Sequence, residues 1–248
     1  MRGMMIAALC CPTLAFAQAG NELGVTVGLG VQSAPSYFGS DSNSLGPTGS
    51  FALDQLDFNG LTLGSGAGTG FSFGGSLRYI SPRKASDHSE LQGLTDIDAA
   101  LELGGGLRYE APTFDAFANL RNGFGGHDSV VADFGLDFIQ PLGTQWELRA
   151  GPRALWGSEG YNQTYFGVTE AESVANNASS FEQYDAGAGL VRAGLAASLS
   201  YQVTPDWGVV GRIRYEELQG DAADSPIVQS KDQVTAGIII TRRVSFSF

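Results

Sequence analysis

The last eighteen residues, Lys231 to Phe248, read K-D-Q-V-T-A-G-I-I-I-T-R-R-V-S-F-S-F. Counted back in twos, one face carries Phe248, Phe246, Val244, Ile240, Ile238, Ala236 and Val234. The other carries Ser247, Ser245, Arg243, Thr241, Gly237, Thr235 and Gln233. A helix repeats every 3.6 residues and would scatter this pattern around its axis. Successive side chains of a strand point to opposite faces, so the segment is a strand with one apolar and one polar face.

The same period recurs along the chain. Leu23, Val25, Val27, Leu29 and Val31 alternate with Gly24, Thr26, Gly28, Gly30 and Gln32. Further alternating runs contain Phe51 and Leu53, Phe71 to Tyr79, Ile97 to Tyr109, Phe114 to Leu120, Phe134 to Phe138, Trp146 to Trp156, Leu195 to Val203 and Trp207 to Tyr215. No segment shows a helical period. The connections alternate in length. Glu110-Ala111-Pro112, Pro141-Leu142-Gly143 and Thr204-Pro205-Asp206 are tight, whereas 34–46, 81–95, 158–184 and 218–230 are long and polar, with a shorter one at 122–128.

Short turns at one end and long loops at the other describe a transmembrane antiparallel up-and-down β-barrel, an all-β fold. With both chain ends on the turn side the strand number is even. Ten strands are expected. Twelve is the alternative, because Leu61–Ile80 is long and Gly-rich for one strand. The terminal Phe248, with Phe246 two places before it, is similar to the closing strand of bacterial outer-membrane barrels. A mean hydropathy of −0.02 agrees, because alternating strands average to nothing.

Residues 1–19 read as a signal peptide and 20–248 as the barrel. Arg2 precedes the apolar run Met4–Leu9, and small residues at Ala15, Ala17 and Ala19 place cleavage after Ala17 or Ala19. Pro12 stops the run well short of the ~20 residues of a spanning helix. Leu9 is bulky where a lipoprotein signal wants a small residue before its cysteine. Cys10 and Cys11 both lie in the leader, so the mature chain has no disulfide or thiolate metal site. The expected location is the cell outer membrane, with lipid and lipopolysaccharide as surroundings. A net charge of −12 argues against nucleic acid as a partner.

Alternation also sorts the charges. With the apolar face toward lipid, the lumen receives Arg78, Arg108, Arg121, Arg149, Arg153, Arg212, Arg214 and Arg243. It also receives Asp96, Asp98, Glu102, Asp115, Asp133, Asp137, Glu147 and Glu216. A cation facing mid-membrane hydrocarbon costs roughly 2–4 kcal/mol, whereas inward charges can pair. A ten-strand barrel is little wider than the size side chains fill, so these pairs are expected to plug it. Breaking one, by Arg212→Ala or Glu102→Ala, is expected to destabilise the barrel or open a leak. Arg242 alone falls on the lipid face, which calls for a bulge or for snorkelling to an interface.

Nothing in the sequence assembles a catalytic, cofactor or metal site, and the chain is expected not to be an enzyme. His127-Asp128-Ser129 has the residue types of a triad, but chain neighbours point apart. His88, beside Asp87, and His127 read as solvated loop histidines, too distant in sequence for zinc. Gly64–Gly70 lacks the spacing of a phosphate loop. Asn162-Gln163-Thr164 and Asn177-Ala178-Ser179 match a glycosylation pattern by chance. In Asp221–Val228, Asp224, Ser225 and Pro226 have the chemistry of an ordered turn. That segment is a cap over the barrel mouth or a binding patch, with the cap favoured.

Three loop segments carry a resemblance. Pro35-Ser36-Tyr37-Phe38-Gly39-Ser40-Asp41, Tyr161-Asn162-Gln163-Thr164-Tyr165-Phe166-Gly167-Val168-Thr169 and Gly220-Asp221-Ala222-Ala223-Asp224-Ser225-Pro226-Ile227-Val228 resemble, in order, segments of the MltA-interacting protein/OmpV family. The region 57–70 departs from the pattern, being short and Gly-rich. The resemblance implies an outer-membrane barrel. It further implies a scaffold between a murein-degrading lytic transglycosylase and a murein synthase, or a porin-like or adhesive surface barrel. It brings no catalytic or ligand residues.

Overall fold

A computed structural model describes residues 22–58, 61–63, 69–174 and 181–247. The leader, Phe248, Gly64–Gly68 and Asn177-Ala178-Ser179 lie outside these residues. The described strands form one antiparallel sheet: β1 (Glu22–Pro35), β2 (Asn43–Phe58), β3 (Leu61–Leu63), β4 (Gly70–Ile80), β5 (Ala100–Glu110), β6 (Phe114–Gly125), β7 (Val130–Leu142), β8 (Trp146–Gly157), β9 (Gly189–Gln202), β10 (Trp207–Leu218) and β11 (Asp232–Ser247). Their order is β3-β2-β1-β11-β10-β9-β8-β7-β6-β5-β4, so first and last strands meet and the sheet curls into a nearly closed barrel. Ten strands are long. The three-residue β3 pairs with the end of β2 through Leu56↔Leu63 and leads toward β4, which is why 61–80 looked too long for one strand.

Every neighbouring pair in this order is a hairpin except β1 with β11, which join the chain ends: Leu23 pairs with Phe246 and Val31 with Ile238. Two bulges interrupt the ladders, at Gly24/Val25 and at Leu155/Trp156. The short connections are tight hairpin turns. Ala111 N–H donates to Phe114 O at 2.8 Å, and Trp207 N–H donates to Thr204 Oγ1 at 3.1 Å. Gly143 holds φ +81 in the β7–β8 turn, a conformation that suits only a residue without Cβ.

The outer face is apolar and unusually bare for a protein surface: Leu29 is 79% exposed, and Phe51, Phe71 and Phe73 are all above 70%. A continuous apolar wall of this kind is stable against lipid, not water. Aromatic residues bound it. Phe71, Tyr109, Phe114, Trp146, Tyr201 and Trp207 ring the turn end, with Trp146 and Tyr201 4.5 Å apart between centroids. Tyr79 and Tyr215 stand eight residues further along β4 and β10, about 27 Å along a strand. Arg242 lies in register with Trp207 at the turn end, its guanidinium 5.2 Å from the indole centroid. It therefore snorkels in the interfacial belt and needs no bulge.

The loop end differs from the expectation of polar coil. Helices α1 (Glu159–Phe166), α2 (Glu170–Val174) and α3 (Gly220–Asp224) lie in the β8–β9 and β10–β11 loops, and two 3-10 turns, Ala85–Asp87 and Ser89–Leu91, lie in the β4–β5 loop. These pieces are too short for the hydrophobic period of a helix to show in sequence. They pack with the loop ends of the strands into the apolar core. Ile97, Val131, Leu155, Tyr161, Tyr165, Phe166, Val191, Leu218 and Ala222 form one buried cluster. Tyr37, Leu91, Leu94, Val168 and Ile227 form a second. Strand β5 starts at Ala100, so Asp96 and Asp98 are loop residues, not lumen residues. Asp96 accepts a hydrogen bond from Ala85 N–H at 2.8 Å.

Candidate functional site

Below the loop cap the lumen is crossed by ion pairs. The β-pleat turns Arg78, Glu102, Arg121 and Asp133 inward from four successive strands, and the ladder sets Arg78 opposite Glu102. The Glu102 side chain is 0% exposed. Arg78 Nη2 donates to its Oε1 at 2.5 Å, and Arg121 Nε to its Oε2 at 2.9 Å. Arg121 continues to Asp133 at 2.6 Å and donates to Ser76 Oγ at 2.9 Å. A carboxylate this deep is tolerable only because two guanidinium groups and a histidine converge on it.

That histidine is His127, and it is not the solvated loop residue the sequence suggested. Its side chain is fully buried, with Nε2 3.3 Å from Glu102 Oε1. Ser129 N–H donates to Nδ1 at 3.3 Å. An acceptor at Nδ1 leaves the ring proton on Nε2, facing the carboxylate. Nδ1 takes the Ser129 backbone N–H and Nε2 faces Glu102, so His127-Asp128-Ser129 has no triad geometry. His88 is half-buried instead, edge-on to Tyr37 at 5.0 Å and 3.7 Å from Glu90.

Helix α1 roofs this cluster. Ser158 precedes it with extended backbone but makes no side-chain cap bond, and Glu159 sits in its first turn, where an acidic residue is favourable. Tyr161, Asn162, Tyr165 and Phe166 are spaced to share the buried face. Tyr161 and Tyr165 lie edge-on to His127 at 5.1 and 5.6 Å, and Arg78 donates to Tyr161 Oη at 3.2 Å. Asn162, the residue of the glycosylation pattern, is 1% exposed and donates to Gly187 O at 2.6 Å.

The other two motif segments lock onto α1. Phe38 packs edge-on to Tyr165 at 5.0 Å and over Phe166 at 6.3 Å. Ser225 Oγ donates to Phe166 O at 2.5 Å and accepts from Ile227 N–H at 3.3 Å. Gly39 adopts φ +91, where an added Cβ would strike Val228. Its N–H donates to Gln233 Oε1 at 3.1 Å. The three segments that carry the family resemblance are thus one cap. Ser225, not the exposed Asp224, is the polar anchor of the third.

Cap electrostatics follow burial. Burial, with Glu90 adding to it, raises the Tyr37 phenol above its ordinary range. Burial likewise raises Tyr165 and lowers the Arg83 guanidinium, which donates to Tyr165 O at 3.1 Å. Burial would raise the Glu172 carboxyl, but N–H groups of Thr169 and Thr95 donate to it at 2.9 and 2.7 Å and hold it below its ordinary value.

Toward the turn end the lumen is wetter. Arg149 bridges Asp115 at 2.5 Å and Glu147 at 2.6 Å, and Arg153 pairs with Asp137 at 2.5 Å. Arg108 and Arg243 are 45% and 58% exposed beside Asp115 and Asp54. Sequence reasoning missed Asp54 and Arg192. Arg192 is in phase with Gly194, Ala196 and Ser198 and pairs with Glu216 at 3.3 Å; extending the alternation back from Leu195 would have found it. Arg212 was expected to be paired, yet no carboxylate lies within 4 Å of it among the described residues, whereas each of the other lumen arginines has one.

The profile of a family described as "MltA-interacting protein MipA" matches residues 27–244. MltA-interacting proteins from Escherichia coli (strain K12) and Shigella flexneri are each 34% identical over 86 residues, covering 35% of this chain. The matched stretch spans about a third (32%) of either relative. Among solved structures, an outer membrane channel from Pseudomonas putida F1 is 12% identical, with a TM-score of 0.46 over 91% of this chain and 96% of that one. Neisserial surface protein A is 8% identical, with a TM-score of 0.29 over 90% and 97%.

Proposed function

This chain belongs to the MltA-interacting protein family, and from that premise we propose that it is a non-enzymatic scaffold barrel of the outer membrane. In this reading a cleavable leader ending at Ala17 or Ala19 exports the chain. The long loops face outward and the short turns face the periplasm. The turn end then holds a murein-degrading lytic transglycosylase, together with a murein synthase, against the inner face of the membrane. The observation that carries the reading is the closed loop end. Glu102, Arg121 and His127 are dry beneath α1, and the loops above them share an apolar core. A barrel stopped in this way is an anchor before it is a pore. The family name supplies the partner class.

The test is co-purification from cross-linked cells. Recovery of a lytic transglycosylase with the intact protein, lost when the turns at 111–113, 143–145 and 204–206 are replaced together by glycine-serine turns, supports the scaffold. Large steady conductance of the purified protein in planar bilayers, with no murein enzyme captured, would replace it by the porin-like reading. Adhesion carried by the long loops, again without capture, would replace it by the surface-interaction reading.

A further inference from the structure

The lumen is asymmetric around its axis as well as along it. From β4 to β8 its wall is filled by paired charges and by Phe117, over which Arg108 and Arg153 stack at 5.9 and 5.3 Å. From β9 through β11 and β1 to β2 several inward positions are small, among them Ala196, Ser198, Gly237, Gly28 and Ser50, although Ile239 fills part of this side. Arg212 projects into this roomier half, flanked on its ladder by Ser198 and Gly237. It faces inward and is nonetheless exposed, so water reaches it inside the barrel.

Charge around Arg212 is unbalanced. It has no hydrogen bond or ion pair among the described residues. Arg214, two residues on and about 7 Å away on the same face, lies 3.8 Å from Glu216, and that carboxylate is already taken by Arg192 at 3.3 Å. One carboxylate serves two guanidinium groups, and Arg212 is left over. Above this level the wall is dry: Glu216 and Gln233 are buried. Below it Arg243 is open to water. The space is therefore a cup, closed toward the loops and open toward the turns.

We propose that this cup binds a small oxyanion, a carboxylate or a phosphate, on Arg212 with Arg214 beside it. The planar guanidinium offers two parallel N–H donors that match either group, and an unpaired guanidinium has both donors available for such a partner. The serine hydroxyl at Ser198 supplies a neutral donor on the same wall. The inference rests on the closed loop end and on Arg212, and is independent of any murein partner.

The experiment is calorimetric titration of the purified full-length protein in detergent with inorganic phosphate and, separately, acetate, at ionic strength matched with chloride. Saturable binding of either anion is expected, and which one binds identifies the source class. Arg212→Gln should raise the half-saturating concentration at least about tenfold, as loss of a charge-assisted bidentate pair implies. Because Arg212 makes no hydrogen bond or ion pair among the described residues, that variant should keep wild-type heat-modifiable migration. Arg212→Lys, which keeps the charge and loses the fork, should bind weakly but measurably. Absence of saturable binding by both anions, or binding unchanged in Arg212→Gln, overturns the proposal.

Discussion

The two ends of the lumen contain the same chemistry in different surroundings. At the loop end Glu102, Arg121 and His127 are dry, held at 2.5–3.3 Å and roofed by Tyr161 and Tyr165. At the turn end Arg108 meets Asp115 and Glu110 only at 3.7 and 4.0 Å and is nearly half exposed. The strands are alike at both ends. The difference is what the connections do: the turns end where the strands end, while the long loops fold back over the mouth and exclude water. The Glu102 pairs are thus structural struts, whereas the Arg108 contacts are hydrated and replaceable.

Glu102→Ala should break this contrast hardest. It leaves Arg78, Arg121 and His127 buried around a missing carboxylate, a loss of roughly 3–5 kcal/mol. Heat-modifiable migration should then shift at a markedly lower temperature than in wild type. Phe166→Ala removes a fully buried ring that supports both other cap segments, at about 3 kcal/mol. Its sharper signature is a bilayer leak, since the cap is what closes the mouth; a variant that melts early but stays electrically silent would move the seal down to the Glu102 cluster.

Ser225→Ala should cost about 1–2 kcal/mol, because the Phe166 carbonyl loses a buried donor. Asp224→Ala should be indistinguishable from wild type in the same melts, its partner Lys231 being exposed. If instead Asp224→Ala alone abolishes partner capture with stability intact, the segment is a binding patch. Arg108→Gln, the turn-end counterpart of the Glu102 test, should change stability by less than about 1 kcal/mol; a loss as large as that of Glu102→Ala would erase the distinction between the ends.

The smallest effect is a pH dependence within the cap. The Glu172 carboxyl is lowered in the folded protein from an ordinary value of 4.5. Its contribution is therefore present above that value and lost as pH falls through the folded one. Amide hydrogen exchange at Thr95 and Thr169, corrected for intrinsic rates, should speed up below pH 4.5. In Glu172→Gln the acid dependence should vanish.

Legibility followed the range of the interaction. Which residues face lipid and which face the lumen was readable almost throughout, and Trp207, Ile213 and Tyr215 stand outward as the period requires. Asp96 and Asp98 went astray because alternation was carried past the true strand start at Ala100. His127 was misread because nothing in its own neighbourhood shows that a helix beginning 32 residues later will cover it. Arg212 was misread because inward direction was equated with pairing.

The sequence by itself determined the strands, their faces and the sorting of charge into the barrel. These depend on a period of two set by the geometry of one strand and by the lipid outside it. Only the tertiary structure decided that three loop segments become a single cap, that the charge pairs beneath it are buried, and that one arginine is left without a carboxylate among the described residues. Those outcomes rest on contacts such as Gly39 with Gln233 and Phe166 with Ser225, between residues far apart along the chain. No local pattern records which loops will meet, because that is set by the order and curvature of the whole sheet.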